Sequence, residues 1–553
     1  MYLFFLTTIS KLVFLRIMKI VECIPNFSEG RSKEIIDAIV REIRSISGAI
    51  LLDVDPGYDA NRTVITFAGE PEPVAEAAFK AIAMAQRLID MRFHKGAHPR
   101  LGSTCVCPFV PVKGISMEEC VKLSKEVAKR VGEELGIPVY LYEESSNLDY
   151  RKKLADIRRG EYEGLKEKIK DPKWRPDFGP IEFNERSGAT VIGARQFLIA
   201  YNVNLNTQDV SKAKRIASQV REGKEGGLKA CRAIGWYMPS YGCAQVSMNL
   251  VDYTVTPIHA AFEEVSRIAQ QEGLRVTGSE MVGLVPLSAI LDAGRFYLQR
   301  QGRSPGLSQE EIIDCAIKSL GLNDVIKFEP SKKILEFRLF EPPLKNLTSA
   351  NFLDLLSTDS PVPAGGSAGA FAGAMGAGLV AMIANISYKK QKDSSVRREL
   401  GLAAIQAQEL KERFARLVIE DEEAFKKVVE VKKAKKGKGN DLSRQKDYYN
   451  AFIKCIEVPM EGIRKVFETL RIFQTVLNYC PASMISDAGA ALNCLKCCAE
   501  TQKGVVRINL SGVSPLTFEY VRDCNKQLNE IMEQIYDLLR ILDDRIEKFS
   551  QNQ

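Results

Sequence analysis

The periodicity of the chain changes once, at Glu341-Pro342-Pro343, and that change constrains the fold more than any other feature. Ahead of it, short β-branched runs alternate with amphipathic stretches. Ile20–Pro25 (IVECIP), Ala49–Asp55 (AILLDVD), Thr63–Gly69 (TVITFAG) and Ile137–Glu143 (IPVYLYE) read as strands. Ser32–Ile46, Pro71–Met91 and Ser116–Gly136 repeat apolar residues three and four apart, the period of a helix with one buried face. Thr190–Leu205 contains a long strand entry. Ala244–Asp252, a helix over Ile258–Glu272 and Leu274–Thr277 continue the alternation. This pattern predicts an α/β (α+β) unit of about 320 residues, its sheets covered by helices. Beyond the two prolines, Arg397–Val431, Ser443–Thr475 and Ser514–Lys548 are rich in Ala, Leu, Ile, Glu, Lys and Arg. They predict an all-α helical bundle of about 200 residues.

Composition narrows the class of protein. A chain of 553 residues that is 45% hydrophobic and 27% charged is neither largely disordered nor a multi-span membrane protein. The formal net charge of +7 is spread along the chain; it does not call for nucleic acid and suits an anionic small ligand. The thirteen cysteines have no regular spacing. Cys494–Cys497 is a lone C-x-x-C without a second pair or nearby His, so no metal site is expected. Reduced thiols and a cytoplasmic location are the expectation. Residues 1–17 (MYLFFLTTISKLVFLRI) begin like a signal peptide. Lys11 and Arg16 interrupt the apolar run, no small-residue cleavage site follows, and the stretch is short for a spanning helix. They are read as an extension of uncertain role, with Met18 as the working start and no stable membrane insertion.

Several segments stand out. His94-Lys-Gly-Ala-His98-Pro-Arg100-Leu-Gly102 holds two of only three histidines, in a turn between a helix and a strand. Turns on a rigid scaffold present catalytic side chains, and they also serve as plain connections. Glu22–Arg31 contains Asn26 and Ser28, good helix caps or members of a ligand-facing loop. Asp177–Gly188 mixes aromatic and polar residues ahead of a strand. Ser360–Gly378 is rich in small residues. Its Gly365-Gly366 opens a helix whose free N–H groups could hold an anion, while the small residues would also permit close helix packing. Ser483–Ala491, with Ser486 and Asp487, resembles a cap entering a packed helix. Asp421 belongs to the acidic run Glu420–Glu423, which on its own reads as a solvated helix face, and Lys432–Lys438 reads as a basic loop.

Taken together these motifs resemble the formiminotransferase and cyclodeaminase families. MKIVECIPNFSEGR, the LLDVD strand with Asn61-Arg62-Thr63, HPRLG with CPFVPV, RRGEYEGL, PDFGP and GARQFLIAYNVNL carry the first likeness. Pro363-Ala-Gly-Gly-Ser367 and Ser486-Asp487-Ala-Gly489 carry the second. The resemblance covers about Met18 to Lys548 and implies a fused, bifunctional folate enzyme of histidine degradation. It divides the chain into transferase subdomains at 18–197 and 198–340, a linker at 341–350, and a cyclodeaminase domain at 351–553.

The implied chemistry is transfer of the formimino group from N-formimino-L-glutamate to N5 of tetrahydrofolate, giving L-glutamate. Closure to 5,10-methenyltetrahydrofolate with loss of ammonia follows. Tetrahydrofolate, polyglutamylated, is the co-substrate; no metal is implied, and the family forms homo-oligomeric rings. By resemblance His98 is the transferase acid/base, since one imidazole can take the N5 proton and return it to the leaving nitrogen. Arg100 and Arg195 would orient carboxylates. The segment Gly179, Pro180, Ile181, Glu182, Phe183, Asn184, Glu185, Arg186, Ser187 and Gly188 corresponds to the folate-contacting loop. Gly365, Gly366, Ser367, Ser486 and Asp487 would bind folate in the second domain, where Asp421 is the acid/base. The chain departs from the cyclodeaminase pattern at Ala364, Ile419 and Cys480-Pro481. The alternative is therefore an active transferase whose helical domain only oligomerises. A scaffold protein would leave the His98 turn without a purpose, and a metal-dependent hydrolase is disfavoured by three histidines with no pairing on a helix and no nearby carboxylate ligand set.

Overall fold

The computed structural model describes residues 19–58, 60–96, 99–339, 349–434, 442–511 and 518–551. The N-terminal extension, His98, and residues 435–438 of the basic loop lie outside the described residues. The rest forms two compact units, one of residues 19–289 and 320–339, the other of 290–319 and 349–551.

The first unit holds two sheets. The first sheet begins with β1 (Ile20–Cys23) and β2 (Asn26–Phe27), two pieces of one strand line. Helix α1 (Lys33–Arg44) follows, opened by the Ser32 side chain, which accepts from the Ile35 N–H. Then come the antiparallel pair β3 (Ala49–Gly57) and β4 (Arg62–Gly69), α2 (Pro71–Leu88) with Pro71 at its first position, and β5 (Thr104–Lys113). The order β3-β4-β1/β2-β5 is that of a β-α-β-β-α-β unit. Helix α3 (Met117–Leu135) starts on a full Ser116/Glu119 capping box and ends on Gly136 in the left-handed conformation. It leads to β6 (Val139–Leu141). After the short helices α4 (Leu154–Arg158) and α5 (Glu161–Lys168), β7 (Thr190–Ala194) joins between β5 and β6, parallel to both. Phe27, Phe67, Phe109, Ile43 and Ile82 are fully buried in this layer.

The second sheet repeats the arrangement: β8 (Ile199–Leu205), α6 (Val210–Val220), β9 (Cys231–Met238), β10 (Cys243–Leu250), α7 (Ile258–Gln271) and β11 (Val276–Val282), in the antiparallel order β11-β8-β10-β9. Thr190–Leu205 is thus two strands in two sheets, with Arg195–Leu198 as the crossing. Strand β9 was not foreseen: Gly235 interrupts it, its outward positions carry exposed Ile234 and Trp236, and Tyr237 on the other face is exposed as well, so no clean alternation marks it.

In the second unit, helices α8 (Leu287–Arg300, from Ile290 onward) and α9 (Gln309–Leu320, to Ser319) group with the C-terminal helices, although the periodicity changes only at Pro343. The cause is local: the Gly306 carbonyl accepts from Asn385 Nδ2 at 2.9 Å, and a Cβ on Gly306 would overlap Ala404 at 2.3 Å. Five long helices form the bundle: α10 (Gly365–Lys390), α11 (Ser394–Ala434), α12 (Leu442–Leu477), α13 (Ile485–Ser511) and α14 (Phe518–Gln551). Helix α10 is long and apolar enough to cross a membrane, yet most of its apolar stretch is packed inside the bundle. Its glycines let neighbours approach: Gly373 faces Phe414 and Cys498, and Gly376 faces Leu495 and the Ala491 carbonyl.

Candidate active sites

The first site is a cavity of about 700 Å3 in the first unit. The first sheet lines it with Glu22, Asp53, Arg62, Thr66 and Val106; the second sheet contributes Arg232, Asn249 and Val282. Pro99 lines it from the histidine turn, Arg158 and Arg159 from the segment before α5, and Arg195 from the crossing between sheets. Five arginines (Arg62, Arg158, Arg159, Arg195 and Arg232) and five carboxyls (Glu22, Asp53, Asp55, Glu143 and Glu161) line it, so the cavity can meet both charges of a ligand that carries carboxylates and a cation. At its wall Glu22 is 1% exposed, and its Oε2 has no hydrogen-bond partner among the described residues. Burial pushes its carboxyl up to about 8, against the lowering pull of Arg195 and with a further push from Glu336.

The turn ahead of Pro99 is pinned by its neighbours. Asn61, at φ 45°, donates from Nδ2 to the Lys95 carbonyl at 2.9 Å and accepts from the Gly30 N–H at 3.0 Å. His94 is buried, and both its nitrogens are engaged. Arg100 Nε donates to Nδ1 at 3.3 Å, so Nε2 must carry the proton it gives to the Asn61 carbonyl at 2.8 Å. Burial and the adjacent guanidinium hold its pKa below the ordinary histidine range. His94 is therefore a neutral, fixed tautomer that braces the turn. His259 lies elsewhere, in the first turn of α7.

Arg100 is occupied as well. Its Nη1 donates to Glu161 and to Glu163, both at 2.9 Å, and Nη2 donates to Glu163 and the His94 carbonyl. A ligand carboxylate would have to displace one of these glutamates. Arg195 is half-buried, faces the cavity, and donates from Nη1 to the Gln196 carbonyl at 2.9 Å.

The ten-residue segment predicted to touch folate does not line this cavity among the described residues. Gly179, at φ 84°, opens it against the Ile137 carbonyl, where a Cβ would sit at 2.4 Å. Ile181, Glu182, Glu185 and Arg186 are exposed; Pro180, Phe183 and Asn184 are half-buried. Phe183 packs on Tyr162 with ring centres 5.4 Å apart, and Asn184 Oδ1 accepts from the Ser187 N–H at 3.0 Å. The closing residues tie to the histidine turn: Gly188, at φ 67°, bridges Gly102, and the Ser103 N–H donates to the Ser187 carbonyl at 2.8 Å. The loop is thus anchored at the far end of the turn that carries His94 and Arg100.

The second site lies at the start of α10. Ala364, its N-cap, has no side chain able to cap, so the first N–H groups of the helix lack a local acceptor. The carboxylate of Asp421, from α11, supplies one. It accepts from Ser367 Oγ at 2.9 Å and from the Ser367 N–H. Gly366 makes room, because a Cβ there would lie 2.3 Å from Asp421 Oδ1; Gly365 faces open space. Burial nonetheless raises the Asp421 pKa, the Ser367 bonds lower it, and Glu422 raises it. Two further residues belong here that sequence reasoning missed. Gln502 Nε2 donates to the Gly366 carbonyl at 2.9 Å, and the buried Cys455 thiol is pushed up to about 11 by burial and by Asp421. Neither sits in a motif; their helices alone bring them in.

Gly365, Gly366, Ser367 and Asp421 therefore come together, whereas Ser486 and Asp487 do not. Helices α10 and α13 are antiparallel, with Gln502 beside Gly366 and Asp487 sharing the field of Cys480 with Lys390. The 24 residues from Gly366 to Lys390 span about 36 Å at 1.5 Å per residue. Ser486 and Asp487 thus lie at the opposite end of the bundle from Asp421 in the same chain.

All thirteen cysteines are free thiols. Among the described residues, no three His, Cys, Asp or Glu side chains converge as a metal site would require.

Comparison with known proteins accounts for both units. Residues 20–195 match the family described as "Formiminotransferase domain, N-terminal subdomain", 200–340 match "Formiminotransferase domain", and 348–530 match "Formiminotransferase-cyclodeaminase". Formimidoyltransferase-cyclodeaminase of Mus musculus is 41% identical over 494 residues, covering 86% of this chain and 90% of that protein. The protein of the same name from Dictyostelium discoideum is 49% identical over 396 residues, covering 69% and 73%. Glutamate formimidoyltransferase of Streptococcus pyogenes is 45% identical over 281 residues, covering 51% of this chain and 94% of that protein. With a mammalian relative matched along nine-tenths of its length, the chain belongs to the formiminotransferase-cyclodeaminase family.

Proposed function

We propose that this chain catalyses both reactions for which its relatives are named. The first unit moves the formimino group from N-formimino-L-glutamate to N5 of tetrahydrofolate. The second closes 5-formiminotetrahydrofolate to 5,10-methenyltetrahydrofolate and releases ammonia. Similarity to separate transferases and to fused enzymes supports the pair of activities.

In the transfer step N5 attacks the amidine carbon and gives up a proton, and the glutamate nitrogen leaves with one. We assign that proton to His98. The fixed, neutral state of His94 supports the assignment, because both its nitrogens are already engaged. The arginines lining the cavity, Arg195 among them, suit the carboxylates of formiminoglutamate and of a polyglutamylated folate tail. Arg100 acts by holding the turn.

In the closure step N10 attacks the formimino carbon and gives up its proton, which restores the acid, and the amino group takes a proton and departs as ammonia. Asp421 is the acid that protonates it, since a carboxyl with a raised pKa keeps a proton to give. The observation that carries this step is the Ser367–Asp421 contact across the start of α10. It favours a working second unit over one that only oligomerises. Supplying purified protein with 5-formiminotetrahydrofolate tests the point directly: ammonia and methenyl absorbance should rise together, and neither would rise for a helical domain without chemistry. A cytoplasmic homo-oligomer that inserts in no membrane and needs no metal completes the proposal.

A further inference from the structure

We infer that Glu22 is the recognition group for the formimino cation, binding it as a carboxylate formed by proton release when the substrate enters the cavity. The inference rests on the transferase reading. Formiminoglutamate presents a planar amidinium whose N–H groups need an acceptor of negative charge once removed from water. Asp53, Asp55, Glu143 and Glu161 also line this cavity but are half-buried or exposed, whereas Glu22 is 1% exposed and its Oε2 has no hydrogen-bond partner among the described residues. It sits on β1, paired with Ala68 and Val110 across the sheet, so the sheet fixes its direction. The ionisable groups around it are Arg195 from the crossing, Glu336 from the short helix at 335–339, and the adjacent Cys23 thiol. Arg195 is placed to pair with a carboxylate of the same substrate, which would leave the cation to Glu22.

The protonation chemistry supplies the sign. Burial lifts the Glu22 carboxyl to about 8 in the empty site, so at neutral pH it is mostly neutral. An arriving cation favours the ionised form, and one proton leaves per site. Below pH 8 the KM for formiminoglutamate should therefore fall about tenfold per unit rise in pH, the linkage for one coupled proton.

Two measurements test this on the full chain. Titration calorimetry with formiminoglutamate at pH 7, in buffers of different ionisation enthalpy, should show close to one proton released. The same titration with tetrahydrofolate should show none. Release with the folate instead would overturn the assignment in favour of the pterin N–H edge, and release with neither ligand would overturn it outright. In Glu22→Gln the KM for formiminoglutamate should rise at least tenfold at pH 8 and lose its pH dependence, with thermal melting confirming the fold. A variant that keeps the wild-type KM profile contradicts the inference. A wild-type protein that transfers no formimino group would instead reject the underlying reading.

Discussion

Asp421 and Ser367 are separated by 54 residues and meet through one carboxylate. Their roles can be divided experimentally. Asp421→Asn keeps the shape and removes the transferable proton. It should lower cyclodeamination by about 10²–10⁴-fold, the usual worth of a positioned acid, and leave formimino transfer unchanged. Ser367→Ala acts differently. The Ser367 hydroxyl stabilises the ionised carboxylate, so its loss raises the Asp421 pKa further. An acid catalyst is active while protonated, so the alkaline limb of the pH–rate profile should move to higher pH. A profile that stays put or moves to lower pH would mean that Asp421 is not the group titrating. At this scale the sequence was partly legible. Asp421 by itself is one acid in a run of four, and only the family likeness singled it out. Glu22 reads as part of a capping segment, because nothing linear reveals that its oxygen is buried without a partner among the described residues.

At the scale of elements, helix α10 shows how packing overrides composition. Glycine costs a helix interior about 1 kcal/mol relative to alanine, so each Gly→Ala change should stabilise unless the added methyl collides. At Gly378 the nearest atoms are 3.8 Å away, on the flexible Lys411 side chain. Gly378→Ala should therefore gain about 0.5–1 kcal/mol. At Gly373 the methyl would lie 2.6 Å from the Phe414 ring and 2.9 Å from Cys498 Sγ. Overpacking of this kind costs about 1–3 kcal/mol, more than the propensity gain, so Gly373→Ala should lower the melting temperature while Gly378→Ala raises it. Thermal unfolding of the two variants beside the parent chain checks the pair. The long helices were readable because their period is sustained over many turns: Arg397–Val431 became Ser394–Ala434, and Ser443–Thr475 became Leu442–Leu477. Strand β9 and the division of Thr190–Leu205 were not readable. Which sheet a strand joins depends on distant partners, as Val106 pairing with Val191 illustrates.

At the scale of the whole molecule, the change of periodicity at Pro343 marks where the composition turns helical, while the compact units divide elsewhere. Residues 290–319 group with the C-terminal helices through contacts such as that of Asn385 with Gly306. The central claim is that one chain carries two separable activities. A coupled assay with N-formimino-L-glutamate and tetrahydrofolate, following glutamate and methenyl product at once, measures it in the parent protein, His98→Ala and Asp421→Asn. The parent should form both products and His98→Ala neither. Asp421→Asn should form glutamate with almost no methenyl product, and His98→Ala should still convert added 5-formiminotetrahydrofolate. Methenyl product formed by Asp421→Asn at the parent rate, or glutamate formed by His98→Ala at the parent rate, would contradict the assignment of the two activities to these two sites.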